Sequence, residues 1–109
     1  MIKTYNKLVR DRIPEIIKAG GADCKIKILS DADYVKMIDA KLDEELAEYH
    51  TDQTIEELAD LLEVIYAATK ARGYTLDDLE TVRAKKAAER GVFDKKVFLI
   101  ETIENTEDS

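Results

Sequence analysis

Thr54-Ile55-Glu56-Glu57-Leu58-Ala59-Asp60-Leu61-Leu62-Glu63-Val64-Ile65-Tyr66-Ala67-Ala68-Thr69-Lys70-Ala71-Arg72-Gly73 reads as one helix, from its capping threonine to its stop. At about 100° per residue, with Leu58 at zero, Ile55, Leu58, Leu61, Leu62 and Ile65 cover one broad side. Glu56, Glu63 and Lys70 fall in a narrow wedge near about 120–160°, the face that meets water. Glu57 and Asp60 lie outside that wedge, near about 260° and 200°, beside Val64, Ala67, Ala68 and Ala71. A helix apolar nearly all round packs against other protein on most sides. Glu57 and Asp60 are therefore expected to point at protein, where an unpaired carboxylate costs several kcal/mol or takes up a proton.

The segment before it explains why acids belong there. Val35, Ile38, Leu42, Leu46 and Tyr49 form a stripe at helical spacing, opened by Ser30 and ending near His50-Thr51-Asp52. Glu44-Glu45-x-x-Glu48 lies on this helix, with Glu45 and Glu48 on the flank that also carries Lys41. Each i,i+3 pair, Glu45 with Glu48 and Glu57 with Asp60, occupies one helix face. Turned toward each other, the two faces gather four carboxylates that repel unless a positive charge sits between them. A divalent cation with oxygen ligands fits, Mg²⁺ first and Mn²⁺ next. A salt bridge to Lys41 is the structural alternative, a solvated acidic surface is another, and Thr54-x-x-Glu57 is also a capping-box pattern.

Composition narrows the classes. The 109 residues suit one domain with a modest core, and one proline and four glycines favour helices over a turn-rich β fold. The net charge of −7 is local: Asp39 to Glu63 holds ten acidic residues against one lysine, while the remaining chain carries 16 basic and 14 acidic groups. No basic stripe of a nucleic-acid-coating protein is present. A lone cysteine, Cys24, fits a reducing cytosol, and no apolar run reaches a membrane span, so a cytoplasmic protein is expected. Cys24 reads as a small buried apolar side chain and His50 as a helix-end residue beside the C-terminal dipole.

The other segments are shorter. Pro14 opens a short helix that Gly20-Gly21 ends. Cys24 to Leu29 alternates in a way that suits a short extended piece, and Val92 to Ile100 is expected to be extended too. A further helix runs from after Thr75 to about Arg90, followed by Gly91. Residues 101–109 read as a flexible acidic tail. The expectation is one all-α domain over residues 1–109, with so many apolar helix faces for its size that at least a homodimer is implied.

Other metal chemistries fail on ligands. A di-iron bundle wants Glu-x-x-His on two helices and an EF-hand wants its Asp/Asn ladder, and neither pattern is present; zinc wants His or Cys ligands, and one of each is too few. An all-carboxylate site suits an ion that bridges phosphates, and phosphates need cations of the chain's own. Two basic sets qualify: Lys7, Arg10 and Arg12 ahead of Pro14, and Arg83, Lys86 and Arg90 on one face of the last helix.

Taken together, these residues resemble a known family. Glu44-Glu45-x-x-Glu48 with Glu57-x-x-Asp60 resembles the signature of the all-α nucleoside triphosphate pyrophosphohydrolases, the MazG-like and phosphoribosyl-ATP pyrophosphohydrolase-like proteins. Tyr5-Asn6-Lys7-Leu8-Val9-Arg10-Asp11-Arg12-Ile13-Pro14-Glu15-Ile16-Ile17 is similar to the opening of a small single-domain branch of that superfamily. Lys86-Ala87-Ala88-Glu89-Arg90-Gly91-Val92-Phe93 is similar to its closing basic motif. The gap between the carboxylate pairs is shorter than in many MazG-like proteins, and Val92 stands where related sequences often carry a second glycine.

The resemblance implies a MazG-like helical bundle and Mg²⁺-dependent cleavage of a nucleoside triphosphate to monophosphate and pyrophosphate, removing unwanted nucleotides. By the same resemblance Glu45, Glu48, Glu57 and Asp60 are metal ligands, and Glu44, Glu45 and Glu48 are the candidate catalytic acids. Lys7, Arg10, Arg12, Lys86 and Arg90 are candidate phosphate contacts. It also implies assembly, with sites near subunit interfaces. Phosphoribosyl-ATP hydrolysis is the alternative reaction, and a non-catalytic helical interaction module the alternative class.

Overall fold

The computed structural model describes residues 1–104. The acidic helices form as the sequence predicts. The first of them, α2, runs Asp31–Asp52, and α3 runs Ile55–Ala71. Before them comes α1, Ile13–Ala19, with Pro14 in its first turn; after them comes α4, Leu76–Arg90. Every described element is helical, so the chain is an all-α protein. The extended pieces expected at 24–29 and 92–100 are irregular and pair in no sheet among the described residues. Short apolar alternation is satisfied only when another strand supplies backbone partners. The tail expected to be flexible lies partly outside the described residues, at 105–109.

Caps set the helix starts. The Ser30 hydroxyl accepts a hydrogen bond from the Asp33 amide at 3.2 Å, and Thr54 accepts one from the Glu57 amide at 3.3 Å. At α4 the box is complete: Thr75 Oγ1 accepts from the Asp78 amide, and the Asp78 carboxylate accepts from the Thr75 amide. No such return bond ties the Glu57 side chain to Thr54, so its carboxylate is left for other work.

Only Gln53 and Thr54 separate α2 from α3, which forces the two helices into an antiparallel hairpin. Gln53 makes the reversal in the left-handed region at φ 54°, and its amide donates to the Tyr49 carbonyl at 2.8 Å. Near the other end of the hairpin Arg72 Nη2 donates to Asp39 Oδ2 at 2.9 Å. The α2–α3 pair is the main packing unit; α4 touches α3 lightly and α2 not at all.

Packing departs from the expected face. Ile55, Leu58 and Leu62 are 73%, 43% and 45% exposed, and Leu46 on α2 is also open. What turns inward on α3 is the side carrying Glu57, Asp60, Val64, Ala67 and Ala68. The small alanines let α2 approach there; on the large aliphatic side Leu61 and Ile65 are half-buried, while Ile55, Leu58 and Leu62 are left open. Within one chain only Ile38 is a buried apolar residue among the described residues. Cys24, expected to be buried, is half-exposed because the irregular 24–29 segment has nothing packed over it.

Candidate metal centre

Glu45 is the centre of the site. It projects from the middle of α2 into the seam with α3 and is 6% exposed, the one buried charged residue among those described. Its oxygens fall within 4.8 Å of those of Glu44 and Glu48 on one side, and of Glu57 and Asp60 on the other. Two three-acid groups thus share one carboxylate. The i,i+3 spacing does the rest: it stacks Glu45 over Glu48 on α2 and Glu57 over Asp60 on α3, and the short turn brings the stacks face to face.

Cations of the chain's own meet part of this charge. Lys41, half-buried on the same flank of α2, reaches Glu44 Oε2 at 3.2 Å and Glu45 Oε1 at 3.3 Å. Lys7 Nζ donates to Glu44 Oε1 at 3.0 Å. Arg10 Nη2 donates to Asp60 Oδ1 at 2.7 Å. The salt bridge to Lys41 therefore holds for Glu44 and for one oxygen of Glu45, while Asp60 pairs with Arg10 instead. It does not extend to Glu45 Oε2 or Glu57 Oε2, which are buried without a hydrogen-bond partner.

The ionisation of the acids follows their surroundings. Burial pushes the Glu45 carboxyl above the usual carboxylate range, and nearby Glu48 pushes the same way against Lys41. Glu57 is also raised, by burial and by Glu48, Asp52 and Asp60. Burial would raise Glu44 as well, but hydrogen bonds from Lys7 and Lys41 outweigh it and hold that carboxyl low. The Lys7 ammonium is correspondingly raised by its bond to Glu44.

Two orphaned buried oxygens amid five hard donors fit a divalent cation such as Mg²⁺ or Mn²⁺, which prefers carboxylate ligands and would offset the repulsion. Glu45, Glu57 and Asp60 form one group that would hold it; Glu48, the fourth expected ligand, gathers with Glu44 and Glu45 in the other. His50 and Cys24 belong to neither group of acids.

The basic candidates divide. Lys7 and Arg10 stand at the acids. Arg12 turns to Glu15 on its own segment at 3.5 Å, and Arg83 bonds Glu80 within α4. Lys86 and Arg90, also on α4, make no ion pair with the five acids among the described residues. The basic face of the last helix is thus not brought to the site within one chain, because α4 does not reach α2. Sequence reasoning also missed a shallow cleft of about 220 Å³ beside Glu44, bounded by Asn6, Met37, Lys41 and Lys7. The available signal was Asn6, adjacent to a candidate phosphate contact and held at φ 47°, a conformation asparagine tolerates better than most residues.

Comparison with known proteins adds little. No family model matches the chain, and no solved structure matches it. An uncharacterized protein of Mycolicibacterium smegmatis is 54% identical over 48 residues, 44% of this chain and 49% of that relative. The matched stretch spans about half the length of the relative.

Proposed function

We propose that the protein is a cytoplasmic, Mg²⁺-dependent nucleotide pyrophosphohydrolase. It hydrolyses a nucleoside triphosphate between the α- and β-phosphates to a monophosphate and pyrophosphate, and so removes unwanted nucleotides. The observation that carries this reading is Glu45: a buried carboxylate with one unpartnered oxygen, shared by two groups of acids. A purely structural acid would complete its hydrogen bonds, because leaving a buried polar atom unpaired costs about 1–3 kcal/mol.

When bound, Mg²⁺ supplies charge neutralisation for phosphate oxygens and makes a bound water more acidic. The side chains divide the remaining tasks. Glu45 and Glu57 anchor from the buried side and Asp60 from the rim. Glu48, exposed on α2, is open to the attacking water and accepts its proton. Lys7 and Arg10 bind the polyphosphate, Arg10 offering a planar fork suited to two phosphate oxygens. The cleft beside Glu44 takes the nucleoside end. Fixed charges aimed at the reacting phosphoryl group provide most of the acceleration.

Assembly is part of the same reading. The accessible surface is 10238 Å², against roughly 6,000 Å² for a compact monomer of this mass. The radius of gyration is 20.3 Å, against about 13 Å for a compact chain of this length. A homodimer that covers the Ile55, Leu58 and Leu62 side of α3 would bury part of this excess surface, and offers a route for Lys86 and Arg90 to reach the site of a second copy.

The test is a pyrophosphate-release screen over standard and modified nucleoside triphosphates and phosphoribosyl-ATP, with Mg²⁺ present. Turnover of at least one triphosphate is expected, and its loss by at least about 100-fold in Glu48→Gln with helicity unchanged by circular dichroism. Faster turnover of phosphoribosyl-ATP than of any triphosphate moves the assignment to that reaction. The ion pairs of Lys7, Lys41 and Arg10 favour a second reading, a helical interaction module. No turnover on any substrate, together with no Mg²⁺-induced rise in melting temperature, selects it.

A further inference from the structure

The N-terminal segment does something its sequence did not announce. Residues 1–12, ahead of α1, are irregular, yet two of their cations are spent on the acid cluster rather than on water. Lys7 is 37 positions from Glu44, and Arg10 is 50 positions from Asp60. The segment is thus strapped across the hairpin by two ion pairs, one to each helix. Both are half-open: Lys7 and Arg10 keep 40% and 59% of their side-chain surface exposed. Lys41, by contrast, belongs to α2 itself and is only 15% exposed.

Resting on the reading of the five acids as a cation site, we propose that Lys7 and Arg10 exchange partners when that site fills. In the free chain they are surrogate counter-ions on Glu44 and Asp60. A divalent cation would be held by Asp60 and stand near Glu44, which weakens the hold of both carboxylates on the strap and frees the guanidinium and ammonium for an incoming phosphate. The physical basis is competition. Asp60 cannot give its full charge to Arg10 and to a divalent cation at once, and two positive charges drawn to one carboxylate group repel each other. A polyphosphate resolves the conflict by offering the displaced cations new anionic oxygens a few ångströms away. Metal binding and phosphate binding are therefore positively linked: each improves the other, by reciprocity of the coupling. The strap makes the site responsive to a metal–phosphate complex more than to either alone.

The signs are opposite for the two ligands, which makes the proposal testable without turnover. Mn²⁺ binding is followed by loss of the free-ion electron paramagnetic resonance signal, in the wild-type chain and in Lys7→Met/Arg10→Met. With its competitors gone, the double variant is expected to bind Mn²⁺ about two- to thirty-fold more tightly. Calorimetric titration of pyrophosphate at saturating Mn²⁺ should show the reverse, a loss of about tenfold or more, since two charged phosphate contacts are missing. Lys3→Met/Lys18→Met removes the same charge without touching the acids and should leave both affinities within about twofold, because exposed charges are screened over a Debye length. Mn²⁺ affinity that is unchanged or weaker in Lys7→Met/Arg10→Met overturns the exchange while leaving the metal site standing. An equal gain in the Lys3→Met/Lys18→Met control reduces it to bulk charge and overturns it too. No Mn²⁺ binding by the wild type or by either variant overturns the metal-site reading itself, and the exchange with it.

Discussion

Glu45 sits where a protein selected for stability alone would place leucine or glutamine. Its carboxyl is raised by burial, so the fold holds its proton more tightly than the unfolded chain does. The same holds for Glu57. For both, the stabilising contribution is complete below the ordinary glutamate pKa of about 4.3 and is lost as pH rises through the raised values. Glu44, held low, works the other way: its contribution is present above the ordinary value and is lost as pH falls through its depressed one. The metal-free protein should therefore lose melting temperature as pH climbs from mildly acid to neutral, and Mg²⁺ should restore it at neutral pH and do little in acid. Differential scanning fluorimetry across pH, with Mg²⁺ or chelator, checks this; a flat metal-free profile would contradict it. Glu45→Gln should raise the metal-free melting temperature at neutral pH by about 2–5 °C and abolish the Mg²⁺ response. The sequence pointed to these acids by spacing, but the orphaned state of Glu45 Oε2 and Glu57 Oε2 depends on which neighbours reach them.

At the scale of elements, starts and stops were legible because capping is local. Ser30, Thr54 and Thr75 each accept the hydrogen bond their positions predict, and Gly73 and Gly91 follow the helices at positive φ. Thr75→Ala should destabilise the chain by about 1 kcal/mol, read from urea unfolding, because α4 makes few tertiary contacts that could compensate. A loss well under half of that would show that α4 is held by packing onto a second copy instead. The face that α3 turns inward was only half legible. Angular position correctly kept Glu56, Glu63 and Lys70 in water and brought Glu57 and Asp60 against α2. It also nominated Ile55, Leu58, Leu61, Leu62 and Ile65 as one apolar side; Leu61 and Ile65 are half-buried, while in one chain Ile55, Leu58 and Leu62 are open. Periodicity identifies an apolar face, but not the molecule that covers it.

For the whole molecule, the uncovered face and the thin core point the same way. We expect sedimentation velocity to give at least a dimer at micromolar concentration. Leu58→Glu/Leu62→Glu should shift it to monomer and lower its thermal stability, since two carboxylates would be buried in an apolar contact. Sedimentation of the wild type as a stable monomer would remove the assembly from the proposal. No described helix is long and apolar enough to cross a membrane.

By itself the sequence determined the helices, their caps and the two i,i+3 acid pairs, because these rest on rules spanning four residues or fewer. The tertiary structure decided that one buried carboxylate is common to both acid groups. It likewise decided that Lys7 and Arg10 reach the acids while Lys86 and Arg90 do not, and that Ile55, Leu58 and Leu62 of α3 stay uncovered. Those outcomes turn on how two helices meet and where a distant segment lies across them, and no local pattern carries that information.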